Sequence, residues 1–297
     1  MTTAGLLGAG VSADRIQALV REGVLVRVGR GAYVHRALAK KVKGSRAGEQ
    51  ALSLASVLAG GQPGVVGSHE SAAIIHGLDL LGRPAPGVTV THRPREGSGT
   101  GRPGVRVHVA ALPASHVTMR SGVAVTSVAR TVVDLARTSS FRSGVVVADS
   151  ALRGKLTTKA DLGAVVADCA RWPGLTRARQ VVEFSDALSE SALESLSRVV
   201  FREQGIPPPE LQEWVGGDDE GVVGRADFLW RRLGTIGEAD GALKYADPQR
   251  AIAQLRRDAR LRGAGFQVVH FTWDDIVRTP ELVAASLREA FRRGAES

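Results

Sequence analysis

The sequence predicts a multi-domain protein of the α/β class, and three observations support this prediction. The chain has 297 residues, more than one small domain needs. Apolar residues spaced for helices alternate with short apolar runs typical of strands. The charge also changes along the chain, because residues 1–50 carry nine basic and three acidic side chains, whereas residues 190–297 carry 15 and 18. We therefore predict three parts: residues 1–36, an α+β middle domain over 48–184, and a domain with a mixed sheet over 185–297.

The composition excludes several classes of protein. Hydrophobic residues make up 43% and charged residues 23%, as in ordinary globular proteins. No run approaches the ~18 apolar residues of a membrane-spanning helix, and the N-terminus lacks the features of a secretory signal. Cys169 is the single cysteine, which excludes an intrachain disulfide and a zinc cluster of cysteines. We expect a cytoplasmic protein with no membrane partner.

The first 35 residues predict two helices followed by a hairpin. A short apolar segment covers residues 3–8, and a second helix begins at the N-cap Ser12 and ends at Gly23. Its apolar stripe contains Ile16, Leu19 and Val20. Two apolar runs then flank the turn Gly29-Arg30-Gly31, a pattern typical of a hairpin.

This order of elements is that of a winged helix, whose second helix enters the major groove while the wing contacts the backbone. The polar side chains that such a unit would present to DNA are Arg15, Gln17, Arg21, Arg27 and Arg30. A solvated charged surface is the alternative interpretation of the same residues. The net charge of +9 favours a polyanionic partner. Aromatic residues are only 4%, too few for a stacking platform, so double-stranded DNA is favoured over RNA.

The middle region predicts mixed structure behind a basic connector over residues 36–50. We expect helices near 50–58 and 68–76, and strands at 87–91 and 105–109 joined by a hairpin tip over 93–104. The glycines of this tip precede no helix and lack the Lys-Ser/Thr of a P-loop, so they predict no phosphate cradle. His69 and Glu70 with His76 lack the HExxH spacing of zinc proteases, which favours structural histidines.

Two segments of the middle region, SHESAA (68–73) and TSVARTVVDL (126–135), resemble the abortive-infection type IV (AbiEi-like) antitoxin family. The resemblance implies a winged helix that represses the antitoxin's own promoter, and a toxin or other protein as partner. Locally, Thr126 as a helix cap and an Arg130–Asp134 ion pair also account for the second segment. Winged helices of this family begin further upstream, so we expect a truncated N-terminal domain that binds DNA weakly.

The last third predicts a mixed α/β sheet. Ser189 caps a predicted helix that buries Leu193, Leu196, Val199 and Val200 and ends at residues 205–207. Strands follow at 221–230 and 234–240. A helix then begins at Asp247-Pro248 and ends at Gly263, before a buried strand over 266–271. A strand that follows a helical crossover makes the sheet mixed.

Acidic side chains collect at the ends of these strands. Asp227 lies within an apolar strand, Glu238 and Asp240 end the next one, and Lys244 follows. Glu194 lies on the preceding helix, on the same side as Glu190 by i, i+4 spacing. Carboxylates within apolar strands are costly unless they are paired or bind a cation. Several together suit Mg²⁺ or Mn²⁺, which can activate water and polarise a phosphodiester, while a lysine neutralises charge on the phosphate.

A helix glutamate, a strand aspartate and a Glu-x-Lys-like pair resemble the layout of PD-(D/E)XK nucleases. The segments GRADFLW, IGEADGALKY and RRDARLRGAGFQVVHFTWDD resemble the very-short-patch-repair (Vsr)-related branch over about residues 185–295. The resemblance implies that Glu194, Asp227 and Glu238 hold the metal, that Asp240 assists, and that Lys244 replaces the motif lysine. Arg257 and Asp258 would support the sheet or contact phosphate. Asp240 occupies the position where the motif has its lysine. Gln254 and Leu255 occupy the positions where a glutamate and a lysine commonly open the last helix.

The sequence leaves three functions open. The first is a Mg²⁺-dependent DNA endonuclease or nickase that the winged helix targets. The second is an antitoxin-like transcriptional repressor with an inactive nuclease fold. The third is a protein that binds another protein, such as a toxin. The carboxylate set favours the first function, whereas the basic N-terminus fits the first two equally.

Overall fold

The computed structural model describes residues 1–59, 64–94, 103–217, 221–240 and 248–295. The chain divides into two compact units, residues 1–184 and residues 185–297. Both units mix helices and strands, as the sequence predicted.

The first unit begins with two helices, a hairpin and two more helices: α1 (Thr3–Gly8), α2 (Ala13–Arg21), β1 (Leu25–Gly29), β2 (Ala32–His35), α3 (Arg36–Val42) and α4 (Arg46–Ala59). The predicted start of α2 is confirmed, because the Ser12 side chain accepts a hydrogen bond from the Arg15 amide. Gly23 follows α2 with φ +73°, as predicted. The predicted connector over 36–50 is wrong. His35 caps α3 by accepting from the Ala37 amide through Nδ1, and the basic residues lie on helices.

A five-stranded sheet and one helix follow: β3 (Val65–Gly67), α5 (His69–His76), β4 (Val88–His92), β5 (Val105–Val109), β6 (Val117–Arg120) and β7 (Val123–Thr126). The strand order is β5-β4-β3-β7-β6. β4 and β5 are parallel, with Val88 opposite Val105, so the predicted hairpin is wrong. The twelve residues 93–104 are enough for the return that parallel strands require. Residues 95–102 of the predicted tip lie outside the described residues.

Four helices complete the first unit: α6 (Val128–Thr138), α7 (Phe141–Arg153), α8 (Lys159–Asp168) and α9 (Leu175–Phe184). α6 packs against α5, α7, α8 and α9, so its polar side chains are enclosed by protein. Its cap is Ser127 rather than the predicted Thr126, because the Thr126 hydroxyl is hydrogen-bonded to Thr131 instead.

The second unit contains a four-stranded sheet and its helices: α10 (Ala192–Glu203), β8 (Glu210–Gly217), β9 (Gly221–Trp230), β10 (Thr235–Asp240), α11 (Pro248–Gly263), β11 (Gln267–Thr272), α12 (Trp273–Arg278) and α13 (Pro280–Ala295). The order is β11-β10-β9-β8, with β10 and β11 parallel and the other pairs antiparallel. The predicted mixed sheet is therefore confirmed. The sequence analysis missed β8.

Hydrophobic contacts hold this sheet between α10 and α11. Phe201 of α10 packs edge-on against Phe228 and Phe271, while Leu261 of α11 belongs to a cluster with Leu229 and Ile236. The predicted inward residues of α10 are buried. Its cap, however, is Ser191 rather than Ser189. Glu190 therefore precedes the helix and does not share a helical face with Glu194.

Candidate functional site

The five residues predicted to contact DNA are all exposed: Arg15, Gln17, Arg21, Arg27 and Arg30. Two of them have partners within the protein, since Arg15 pairs with Glu22 at 2.9 Å and Arg27 donates to the Gly29 carbonyl at 3.2 Å. Exposed ion pairs contribute little stability and exchange readily for phosphate. Further exposed basic side chains lie on α3, just after it and at the start of α4: Arg36, Lys40, Lys41, Lys43 and Arg46.

Asp227 and Glu238 lie on the same face of the second unit's sheet. The antiparallel β9–β10 pairing ends with Gly237 opposite Phe228, and Glu238 and Asp227 are the next residues of the two strands. Directly opposite residues share a face. The Ala239 amide donates to Asp227 Oδ2 at 2.9 Å, which fixes the aspartate at this end of the strand pair.

Gln212 of β8 connects Asp227 to Glu194. Its Nε2 donates to Glu194 Oε2 at 2.9 Å and to Asp227 Oδ1 at 3.3 Å. Gln212 has φ +56°, a conformation that costs a non-glycine residue on the order of 1–3 kcal/mol. Its buried Oε1 has no hydrogen-bond partner among the described residues. The sequence analysis missed Gln212, because no local pattern marks a left-handed residue within a strand.

Glu194 lies in the first turn of α10 and is buried. Its carboxylate accepts from the Glu190 amide at 2.7 Å and from the Ser191 hydroxyl at 2.8 Å. Burial raises the pKa of Glu194, and the charge of Asp227 raises this pKa further, while the hydrogen bonds oppose the shift. Glu194 thus lies close to Asp227, as predicted. The side-chain amide of Gln212, however, lies between the two carboxylates.

Glu238 is paired with Arg257 of α11. Arg257 Nη2 donates to Glu238 Oε1 at 2.9 Å and also to the Arg225 carbonyl. Glu238 is only 3% exposed, so the guanidinium supplies the partner that a buried carboxylate requires. Arg257 was predicted to support the sheet or to contact phosphate, and these contacts are those of sheet support.

Asp240 contacts His270, a residue that the sequence analysis did not mark as part of the site. Its Oδ2 lies 3.1 Å from His270 Nδ1, and His270 Nε2 lies 2.8 Å from Asp258 Oδ2. The hydrogen bond to Asp240 raises the pKa of His270. A histidine within an otherwise apolar strand was the sequence signal for this residue. Lys244, the predicted substitute for the motif lysine, lies outside the described residues.

Binding of a divalent cation requires several of these carboxylates to share one ion. In the part of the chain that the structure describes, no group of three or more His, Cys, Asp or Glu residues could hold a metal ion. The physical reason is that protein donors stand between the carboxylates. Gln212 separates Glu194 from Asp227, and Arg257 holds Glu238. In this arrangement the three predicted ligands do not fit Mg²⁺ or Mn²⁺, and their role in metal binding stays a prediction.

A second polar cluster lies inside the first unit, on α6. Arg130 Nε donates to Asp134 Oδ2 at 2.8 Å, and the two side chains are 1% and 0% exposed, which confirms the predicted pair. Arg137 donates to the other Asp134 oxygen at 3.1 Å. Both guanidinium groups lie over the Trp172 ring, 4.6 and 5.0 Å from its centroid.

His69, at the start of α5, lies beside this cluster. It has φ +48°, it is buried, and its ring stacks on His108 with the centroids 3.7 Å apart. Burial, and then the nearby charges of His108 and Arg137, lower the pKa of His69 to about 2. Its Nε2 has no hydrogen-bond partner among the described residues.

The two histidines of α5 therefore differ. His76 Nε2 is hydrogen-bonded to the Thr126 carbonyl at 2.8 Å, so the prediction of a structural histidine is confirmed for His76. His69 is also buried and contacts Ser68 through Nδ1, but its Nε2 has no partner among the described residues, so its hydrogen bonding is only partly satisfied.

Comparison with known proteins assigns the middle of the chain. Residues 65–184 match the family model of the AbiEi antitoxin C-terminal domain, a range that includes both polar segments predicted to resemble that family. The chain is also 28% identical over 279 residues to the uncharacterized proteins MT2308 (strain CDC 1551 / Oshkosh) and Rv2248 (strain ATCC 25618 / H37Rv) of Mycobacterium tuberculosis. These alignments cover 92% of this chain and 95% of each relative. Residues 65–184 are thus similar to the AbiEi antitoxin C-terminal domain, and we call them the antitoxin-like domain. No helix among the described residues has the length and apolarity to cross a bilayer.

Proposed function

We propose that this chain is a DNA-binding regulator of the antitoxin type. One observation carries the proposal: the antitoxin-like domain over 65–184 follows a unit of two helices and a hairpin whose predicted DNA-contacting side chains are exposed. In a winged helix, such side chains contact the major groove and the backbone. The same domain makes a toxin protein a candidate partner.

Binding of the full chain to a duplex that contains its own promoter tests this proposal, with fluorescence anisotropy as the readout. We expect affinity to fall steeply with salt, with a slope near −0.9 for each phosphate contact in a plot of log K against log salt. Arg21→Glu combined with Arg30→Glu should weaken binding at least tenfold. Arg179→Glu, an exposed charge reversal on α9, is the matched control. Equal losses in both proteins would contradict a specific role for α2 and the hairpin.

A second candidate function is metal-dependent hydrolysis of DNA by the second unit. The observation that favours it is the placement of Asp227 and Glu238 at the end of the β9–β10 pairing, with Gln212 held in a strained conformation between Asp227 and Glu194. Backbone strain of this kind concentrates at functional sites. The protein partners of these carboxylates weigh against a metal site that is already formed.

Nicking of supercoiled plasmid in Mg²⁺, Mn²⁺ or EDTA tests the second candidate. This function requires metal-dependent nicking that Asp227→Asn and Glu238→Gln abolish and that Lys244→Ala slows, since a lysine near the phosphate would stabilise developing charge. Asp274→Asn, an exposed carboxylate of α12, is the matched control. A parent protein that neither nicks DNA nor changes its melting temperature with Mg²⁺ would exclude this function and leave the regulator.

A further inference from the structure

We propose that the antitoxin-like domain binds a phosphate group at the His69 cluster, which we define as His69, His108, Arg130, Arg137 and Trp172. The cluster lies apart from α2 and the hairpin, and the proposal does not depend on DNA binding. The Arg137 side chain is only 10% exposed, and His108 is partly exposed, so the cluster reaches solvent on the His108 side.

Hydrogen bonding around His69 leaves an unpaired donor. Thr91 Oγ1 donates to Ser68 Oγ at 2.7 Å, and Ser68 Oγ lies 3.0 Å from His69 Nδ1. Because the serine oxygen accepts from Thr91, its own proton is available for Nδ1. With the serine as the donor to Nδ1, we assign the imidazole proton to Nε2, since a neutral histidine has one donor and one acceptor nitrogen. That buried N–H has no acceptor among the described residues.

Arg130 supplies a second unpaired donor. Its Nε donates to Asp134 and its Nη1 to the Ala111 carbonyl at 3.0 Å, with His116 Nδ1 at 3.2 Å. Its Nη2 is buried and has no hydrogen-bond partner among the described residues. Arginine has only donors, so the group missing at Nη2 must be an acceptor.

The charges around the two donors also favour an anion. Arg130 and Arg137 share the single carboxylate of Asp134. Arg106 on β5 pairs with Glu70 at 3.3 Å, and the charges of both side chains influence the pKa of His108. Two guanidinium groups thus share the Asp134 carboxylate, whereas Arg106 has Glu70 as its own partner, so the excess of positive charge lies on α6.

The start of α5 adds to this preference. Ser68 is the N-cap of α5, but its hydroxyl makes no cap hydrogen bond, because Thr91 and His69 engage it. The N-terminal end of a helix carries a partial positive charge that favours anions.

A phosphate suits these donors better than a carboxylate does. The unpaired donors come from two elements, α5 and α6. A tetrahedral oxyanion presents acceptors in several directions, whereas a carboxylate presents two oxygens in one plane. The ligand could be inorganic phosphate or the phosphate monoester of a nucleotide, which share this group.

Calorimetric titration of the full chain tests the proposal, with inorganic phosphate, a nucleoside monophosphate and acetate as ligands at constant ionic strength. We expect saturable binding of phosphate and none of acetate. His69→Asn should weaken phosphate binding at least tenfold without loss of fold, because asparagine tolerates a positive φ. Arg137→Gln should weaken it similarly. His76→Gln on the same helix is the matched control and should bind as the parent does.

Some outcomes identify the ligand, and others overturn the proposal. Tighter binding of the nucleotide than of inorganic phosphate identifies a nucleotide as the source of the group, and equal binding identifies free phosphate. The proposal is overturned if the parent binds neither ligand. It is also overturned if folded His69→Asn and Arg137→Gln proteins, checked by melting in phosphate-free buffer, bind as the parent does.

Discussion

His69 in the first unit and Gln212 in the second share an unusual pair of properties. Each is a non-glycine residue with positive φ, at +48° and +56°, and each has a buried polar atom without a hydrogen-bond partner among the described residues. Their surroundings are opposite, because guanidinium groups surround His69 and carboxylates surround Gln212.

The polarity of the unpaired atom matches the surroundings in both places. With the proton assigned to Nε2, the unpaired His69 nitrogen is a donor near guanidinium groups, whereas the unpaired Gln212 oxygen is an acceptor on a side chain that contacts two carboxylates. The His69 site therefore favours an anion, whereas the Gln212 site favours a cation or a hydrogen-bond donor.

The largest effect is expected for Arg130→Ala in the first unit. Removal of the guanidinium leaves the fully buried Asp134 with Arg137 as its remaining ion-pair partner among the described residues. Breaking a buried pair from one side costs about 3–5 kcal/mol, which a urea titration measures. The control is Arg153→Ala, whose pair with Asp79 is partly exposed and should cost under about 1 kcal/mol. Equal costs would contradict the burial of the α6 pair.

Gln212→Glu tests the acidic side of the comparison. The substitution replaces a donor to two carboxylates with a third carboxylate, so we expect a loss of about 2–3 kcal/mol at pH 7. The loss should shrink as acid protonates the carboxylates. Gln180→Glu, at an exposed position on α9, should change stability by less than about 0.5 kcal/mol. A tolerated Gln212→Glu would show that the three groups do not share one space.

His69→Asn should remove part of the acid sensitivity of the parent. The pKa of His69 is lowered from 6.5 to about 2, so the unfolded chain binds a proton below pH 6.5 that the folded protein does not. The stability from neutral His69 is present above pH 6.5 and is lost as the pH falls. Relative to the variant, the parent should lose about 2 kcal/mol by pH 5 in phosphate-free buffer. Parallel stability curves for the two proteins would contradict a buried, neutral imidazole.

His270→Asn should show the opposite pH dependence and a smaller effect. Contact with Asp240 raises the pKa of His270, so its contribution is complete below pH 6.5 and is lost as the pH rises through the raised value. At pH 6 the variant should be less stable by about 1.5 kcal/mol, the lower end for hydrogen bonds to charged groups. A stability gap that widens with rising pH would show that His270 is held neutral.

The sequence predicted much of the acidic site and little of the cationic one. Asp227 and Glu238 were identified because carboxylates interrupt apolar strands, and β9 and β10 pair as expected. Gln212 lies in a strand that the sequence analysis missed, and His69 was interpreted as a structural histidine. Neither residue differs in type or spacing from an ordinary polar residue. Only the contacts around each one show that a polar atom is left unpaired.

Features that depend on neighbours a few residues apart could be predicted from the sequence. Ser12 caps α2, Gly23 follows it, and Arg130 pairs with Asp134 one helical turn away, because these bonds form within a short stretch of chain. Tertiary structure alone decided what depends on distant partners. β4 and β5 pair in parallel, and His76 finds its acceptor 50 residues away at Thr126 while His69 finds none. The physical reason is that a local pattern specifies which groups can bond, whereas packing decides which of them meet.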